Sequence, residues 1–186
     1  MKKLSSVFAL TILTVNLFSQ ENIFPIDSIT REITYSEIIK VDSINGQELY
    51  LRAKIWFVHS FVSAKNVIQL DEKESGRIIG KGIFDVSDNN NHNSIIYVPI
   101  TGTVDFTVEI QTKDEKYKYI FSDFSYKVNG DSEMDLKSFS VFKSVMFQKR
   151  LDIQWLDIRN NTNARILNMI ESLKKAMGAK NDSDKW

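Results

Sequence analysis

The chain has 186 residues, with 24 basic and 24 acidic side chains, so one domain of zero formal charge is expected. Apolar residues at 42%, with only 7 Gly and 2 Pro, exclude a disordered or fibrous chain. The absence of Cys excludes disulfides, thiol nucleophiles and thiolate metal sites, and two histidines, His59 and His92, leave almost no room for His-based triads or metal centres.

Lys2 and Lys3 precede an apolar run from Val7 to Phe18. The run is short for a bilayer span and fits a secretory signal peptide. Residues 1–19 read as that signal, with cleavage between Ser19 and Gln20. The mature protein is then exported to the periplasm or cell surface, carries no transmembrane segment, and has a formal charge of −2. Residues 20–28 read as a leader, residues 29–178 as a single domain, and residues 179–186 as a frayed polar tail.

Ile33, Tyr35, Ile39 and Val41 alternate along one face, interrupted by Glu37, which predicts a half-buried strand. The period then changes. Asn45 followed by Glu48 has the form of a capping box, opening a helix from about Gly46 to Phe61. Leu49, Ala53, Trp56, Phe57 and Ser60 form its buried face. Leu51, Ile55 and Val58 broaden the apolar surface, so the helix is expected to be covered on most sides. Ile68 and Leu70 begin a second strand, Ser75-Gly76 supplies a turn, and Arg77 to Val86 form a third. Gly80 and Gly82 lie on the apolar face of that strand, which points to close approach of a helix or a bulge.

Residues 87–94 are all turn formers and read as an exposed loop; Ile95 to Ile100, with Pro99, read as an edge segment. Val104, Phe106, Val108 and Ile110 alternate cleanly with polar residues. Asp114-Glu115 makes a hairpin turn into a strand whose phase shifts between Phe121 and Phe124, as a β-bulge produces. Asn129-Gly130 ends the sheet, and residues 131–150 fit no single period. Leu151 to Ile158 predict a short helix broken or capped by Asn160–Asn163. Ile166, Ile170, Leu173 and Met177 predict a final amphipathic helix. The order β-α-β-β-β-β-α is an α+β fold, an antiparallel sheet with helices on one face.

Three stretches carry a resemblance: ELYLRAKIWFVHSFVSAKNVIQLDEKESGRIIGKG (Glu48 to Gly82), VDFTVEIQTKDEKYKYIFSDF (Val104 to Phe124) and IESLKKAM (Ile170 to Met177). The chain resembles the exported bacterial domain-of-unknown-function family four-four-six-eight, described as TBP-like (TATA-binding-protein-like), over roughly residues 30 to 130 and the last helix. The resemblance implies a curved antiparallel sheet backed by helices. It implies no activity and carries over no functional residues.

No nucleotide-binding, G-x-S-x-G or calcium-loop signature is present. His59 reads as a lone helix histidine. Asp85, Asp88 and Asn89–Asn91 with His92 lack the glycine and distant Glu of a calcium loop. Asp71, Glu72 and Glu74 read as a solvated strand end. No catalytic, cofactor or metal residue is assigned, and the protein is not expected to be an enzyme. The expected function is a binding module for an envelope protein, glycan or small ligand. The alternatives are a carboxylate-based envelope hydrolase, or an apolar-ligand carrier with Trp56 and Tyr119 lining a cavity. The polar face opposite Val104–Ile110, namely Thr103, Asp105, Thr107, Glu109 and Gln111 with Lys118 across the hairpin, is the candidate partner surface. Lys113, Lys116 and Lys118 read as balanced by Asp105, Glu109, Asp114 and Glu115, so nucleic acid is not an expected partner.

Overall fold

The computed structural model describes residues 23–61, 67–88, 99–128, 132–138 and 143–178. Residues 1–19, expected to be a signal peptide, most of the 87–94 loop and the expected tail lie outside the described residues, as do Ile95–Val98 and Asn129-Gly130. Two helices pack on one face of a curved antiparallel sheet of six strands. Its strands are β1 (Tyr35–Lys40), β2 (Ile68–Glu72), β3 (Arg77–Ser87), β4 (Thr101–Lys113), β5 (Lys116–Val128) and β6 (Ser132–Met134). The helices are α1 (Gly46–Ser60) and α2 (Gln148–Gly178).

The spatial order is β1-β5-β4-β3-β2, all antiparallel, with β6 also pairing β5. β1 and β6 therefore share one edge of β5: β1 runs beside Lys116–Phe121 and β6 beside Tyr126–Val128. The chain crosses from that edge to the other through α1, then returns strand by strand. The period-two faces explain the register. Even-numbered residues are buried from Ile78 to Val86 in β3 and from Val104 to Thr112 in β4, as are Tyr117, Tyr119 and Phe121 of β5.

α1 begins where the cap predicts: Asn45 Oδ1 accepts from the Glu48 N–H (2.9 Å). Its buried side chains are Leu49, Tyr50, Ala53, Trp56 and Phe57. Trp56, Phe57, Phe106 and Phe121 form one aromatic cluster with Phe61. Gly80 lets this helix sit close: a Cβ there would lie 2.6 Å from Phe57 Cε1. The hairpin bulge is also present, with the register shifting opposite Asp105/Thr107 and Asp123 at φ 55°. Gly76 turns β2 into β3 at φ 66°.

Four expectations are corrected. Asn160–Asn163 do not break the C-terminal helix; α2 is one helix of 31 residues. Two of these four polar residues, Asn161 and Asn163, find tertiary partners in place of local caps. The Tyr35 hydroxyl donates to Asn163 Oδ1 (2.6 Å), Asn161 Nδ2 to the Ser87 carbonyl (2.7 Å), and Thr162 is fully buried. Second, a short strand, β6, follows Asn129-Gly130, so the order is β-α-β-β-β-β-β-α. Third, Leu51, Ile55, Val58 and Ser60 are exposed, because the sheet and α2 contact only the other side of α1. Fourth, the leader joins the domain at its end: Phe24 is buried and Ile26 bridges Ile33.

The helices run side by side in opposite directions. Arg52 Nη1 donates to the Met177 carbonyl (2.9 Å) and Trp56 Nε1 to Ser172 Oγ (3.3 Å). No helix among the described residues is long and apolar enough to cross a membrane.

Candidate functional site

Two helices on one side leave the other side of the sheet without a covering element among the described residues. The strand register builds this face. On β4 it presents Thr103, Asp105, Thr107, Glu109 and Gln111, all half-buried by their cross-strand neighbours. Lys118 of β5 stands directly opposite Gln111, and Arg77 of β3 flanks Gln111 on the other side. The six candidate residues thus share one surface.

Its acids are held by specific cations. Arg77 Nε donates to Glu109 Oε1 (2.7 Å), and Gln111 Nε2 reaches the same oxygen (2.6 Å). Burial raises the Glu109 pKa, but these two donors outweigh it and the net direction is downward. Asp105 is paired with Lys127. The face is less uniformly polar than its β4 stripe: Ile38 of β1 and Ile83 of β3 are exposed on it, and Ile79 and Ile120 flank Glu109.

The expected balancing of the basic residues does not hold pair by pair. Asp105 and Glu109 belong to Lys127 and Arg77, and Asp114 accepts from the Gly46 N–H (2.8 Å) at the start of α1. A row of lysines is left over. Lys40 on β1 stands opposite Lys116 on β5, and Lys116 opposite Lys113 on β4. All three point to the helix-free side, and none of their ammonium groups makes an ion pair or hydrogen bond among the described residues. The sequence shows Lys113, Lys116 and Lys118 as neighbours, but Lys40 lies far away in the chain, and only the β1–β5 register adds it.

Elsewhere, the other candidate residues take structural places. His59 is exposed in the last turn of α1. Asp71 accepts from the Tyr50 hydroxyl and from Lys54 Nζ (2.8 Å); Lys54, then Tyr50, hold it below the ordinary carboxylate value. Glu37, which interrupts the apolar face of β1, accepts from Lys174 (2.9 Å) and from the Tyr119 hydroxyl (2.9 Å), which lower its pKa in that order. Asp88 is no loop-tip residue: it is buried, accepting from Gln154 Nε2 (2.7 Å) and the Ile100 N–H (3.2 Å). Trp56 and Tyr119 both pack edge-on against Phe121, at ring separations of 6.3 and 5.9 Å. Among the described residues, no cluster of three or more His, Cys, Asp or Glu is arranged to hold a metal ion.

Two solved structures resemble this fold. A DUF4468 family protein from Bacteroides ovatus aligns with a TM-score of 0.64 at 14% identity, covering 87% of this chain and 94% of that one. A TBP-like protein from Parabacteroides distasonis aligns with a TM-score of 0.60, also at 14% identity, covering 83% of this chain and 97% of that one. At such identity the likeness is one of fold. No curated protein matches the chain. The family model described as "Domain of unknown function (DUF4468) with TBP-like fold" matches residues 35–127, from the first residue of β1 almost to the end of β5. The chain belongs to this TBP-like family of unknown function.

Proposed function

We propose that the protein is exported and acts as a non-enzymatic binding module, with its partner docking on the helix-free face of the sheet. The observation that carries this reading is the open surface of Thr103, Asp105, Thr107, Glu109, Gln111 and Lys118, which no described element covers. A sheet with one uncovered face meets solvent or a partner there. The mixture of fixed ion pairs and exposed isoleucines suits a specific protein contact, in which complementary charges set register and apolar side chains are buried.

The carboxylates support a binding role over hydrolysis. General acid–base work near neutral pH calls for a carboxyl pKa raised toward 7. Glu37, Asp71 and Glu109 are all shifted the other way by the cations that hold them. A carrier with Trp56 and Tyr119 lining its cavity is disfavoured, because both side chains are buried in the core and pack edge-on against Phe121.

The test places a photo-crosslinking side chain at Thr107 or at Leu51 on the exposed side of α1, in the native host. A discrete protein adduct from Thr107 and none from Leu51 is expected. An adduct from Leu51 alone sinks the face assignment. The intact mass of the recovered protein is expected to start at Gln20; retention of residues 1–19 in a cytoplasmic product ends the export reading.

A further inference from the structure

The lysine row is an unusual thing to leave on a sheet. Like charges directly opposite one another on neighbouring strands destabilise the pairing. Here Lys116 has a lysine opposite it on each side, Lys40 and Lys113. Strands lie about 4.8 Å apart, so three ammonium stems start within about 10 Å of each other. The turn residue Glu115 and the exposed Asp42 lie nearby, yet the row itself is unpaired among the described residues.

Two further features adjoin it. Ile38, two residues before Lys40 and on the same side of β1, is 65% exposed. β1 is also an edge strand: among the described residues it pairs only with β5, leaving its other edge of N–H and C=O groups open. Edge lysines ordinarily guard against unwanted pairing. That role accounts for Lys40 at most. Lys113 and Lys116 sit two strands and one strand inward, where they guard no edge.

We propose that β1 accepts an extended acidic peptide segment of a partner protein as an added strand. This rests on the reading of the helix-free face as the partner surface and names the partner's chemistry. Main-chain hydrogen bonds to the open β1 edge supply affinity, and alternate side chains supply specificity. On the helix-free side an acidic residue lies against Lys40 and reaches Lys116, and an apolar residue two positions away covers Ile38. A duplex or a polyanionic track would use the charges but not the edge or the isoleucine. The lysine row is also only three strands wide.

The experiment uses the mature protein and a blocked peptide of about nine residues. The peptide carries leucine flanked by glutamates at alternate positions, with threonines between, so that either strand direction presents the same face. Fluorescence anisotropy at low salt is expected to show binding that weakens as salt rises. Lys40→Glu and Lys116→Glu are each expected to weaken it about tenfold or more. Their melting temperatures are expected to be unchanged or raised, because each substitution removes a like-charge pair. A peptide N-methylated at alternate residues, which cannot donate to the edge, is expected not to bind. Four outcomes overturn the proposal. They are no binding at low salt; equal binding of the N-methylated peptide; binding of heparin, duplex DNA or phosphatidylglycerol vesicles but not the peptide; and self-association of the free protein abolished by Lys40→Glu, which assigns the edge to the acidic β2 of a second copy. Crosslinking through Thr107 reads the face independently, so an adduct there without peptide binding rejects this inference alone.

Discussion

Gly80 shows how one missing atom sets the distance between helix and sheet. Phe57 is fully buried, and its ring sits where a side chain on Gly80 would begin. Adding a methyl forces the ring off its rotamer or lifts α1. Overpacking of this kind costs about 1–3 kcal/mol. Gly80→Ala is therefore expected to reduce the stability measured by urea unfolding by that amount. The double variant with Phe57→Leu is expected to recover part of it, since the two sites share one contact and cannot be additive. Additive losses show that the close approach is not the cause. The same scale explains Glu37, a carboxylate on an otherwise apolar strand face. Lys174 and the Tyr119 hydroxyl satisfy it, so its place there needs no apolar partner.

At the scale of the element, α2 is the informative case. Asn160, Asn161, Thr162 and Asn163 each favour caps and turns, because their side chains compete for backbone hydrogen bonds. In this molecule two of them are engaged elsewhere, and a third, Thr162, is buried with its hydroxyl unpaired among the described residues. Tyr35 and Ser87 bind the two, and the core covers Thr162. Arg159, one residue earlier, donates to the Leu136 carbonyl (2.9 Å). The helix then runs unbroken for about 46 Å. Asn160 is exposed, so Asn160→Pro probes the backbone without disturbing packing. In a continuous helix the loss of one hydrogen bond and the ring clash cost about 3 kcal/mol or more. A large fall in melting temperature is expected; tolerance of the proline means that the helix is interrupted there.

For the whole molecule, burial of tyrosines on the helix-covered side of the sheet makes folding sensitive to alkali. Burial pushes Tyr117 up to about 12, with Glu37 and Glu171 adding to it, and pushes Tyr126 up to about 12, with Asp88 adding. Burial and the Asp71 carboxylate take Tyr50 to about 12, and burial raises Tyr35 and Tyr119 further still. Each unfolded phenol ionises near its ordinary value of 10. Below pH 10 both states hold the proton and stability is fully present. Above it the unfolded state releases protons that the folded state keeps, so stability falls as pH rises through about 12. The urea midpoint is expected to drop steeply between pH 10 and 12. Tyr117→Phe is expected to flatten that slope while leaving neutral-pH stability little changed, because its hydroxyl makes no hydrogen bond among the described residues. An unchanged slope means that Tyr117 ionises freely in the folded state.

The sequence by itself determined the elements whose signals are local. The Asn45 cap, the alternation along β3, β4 and β5, the bulge before Phe124, and the glycines awaiting a helix all follow from short-range periodicity and backbone sterics. So did the outward stripe from Thr103 to Gln111, because alternation assigns both faces of a strand at once. Only the tertiary structure decided what depends on distant partners. It kept α2 whole through Tyr35 and Ser87, added β6 along the free half of the β5 edge, left Leu51, Ile55 and Val58 uncovered, and drew Asp88 and Phe24 inward. It also aligned Lys40 with Lys116 and Lys113. Pairing register is a relation between strands far apart in the chain, and no local period encodes it. The row of charge that distinguishes the helix-free face therefore comes into being only when the sheet closes.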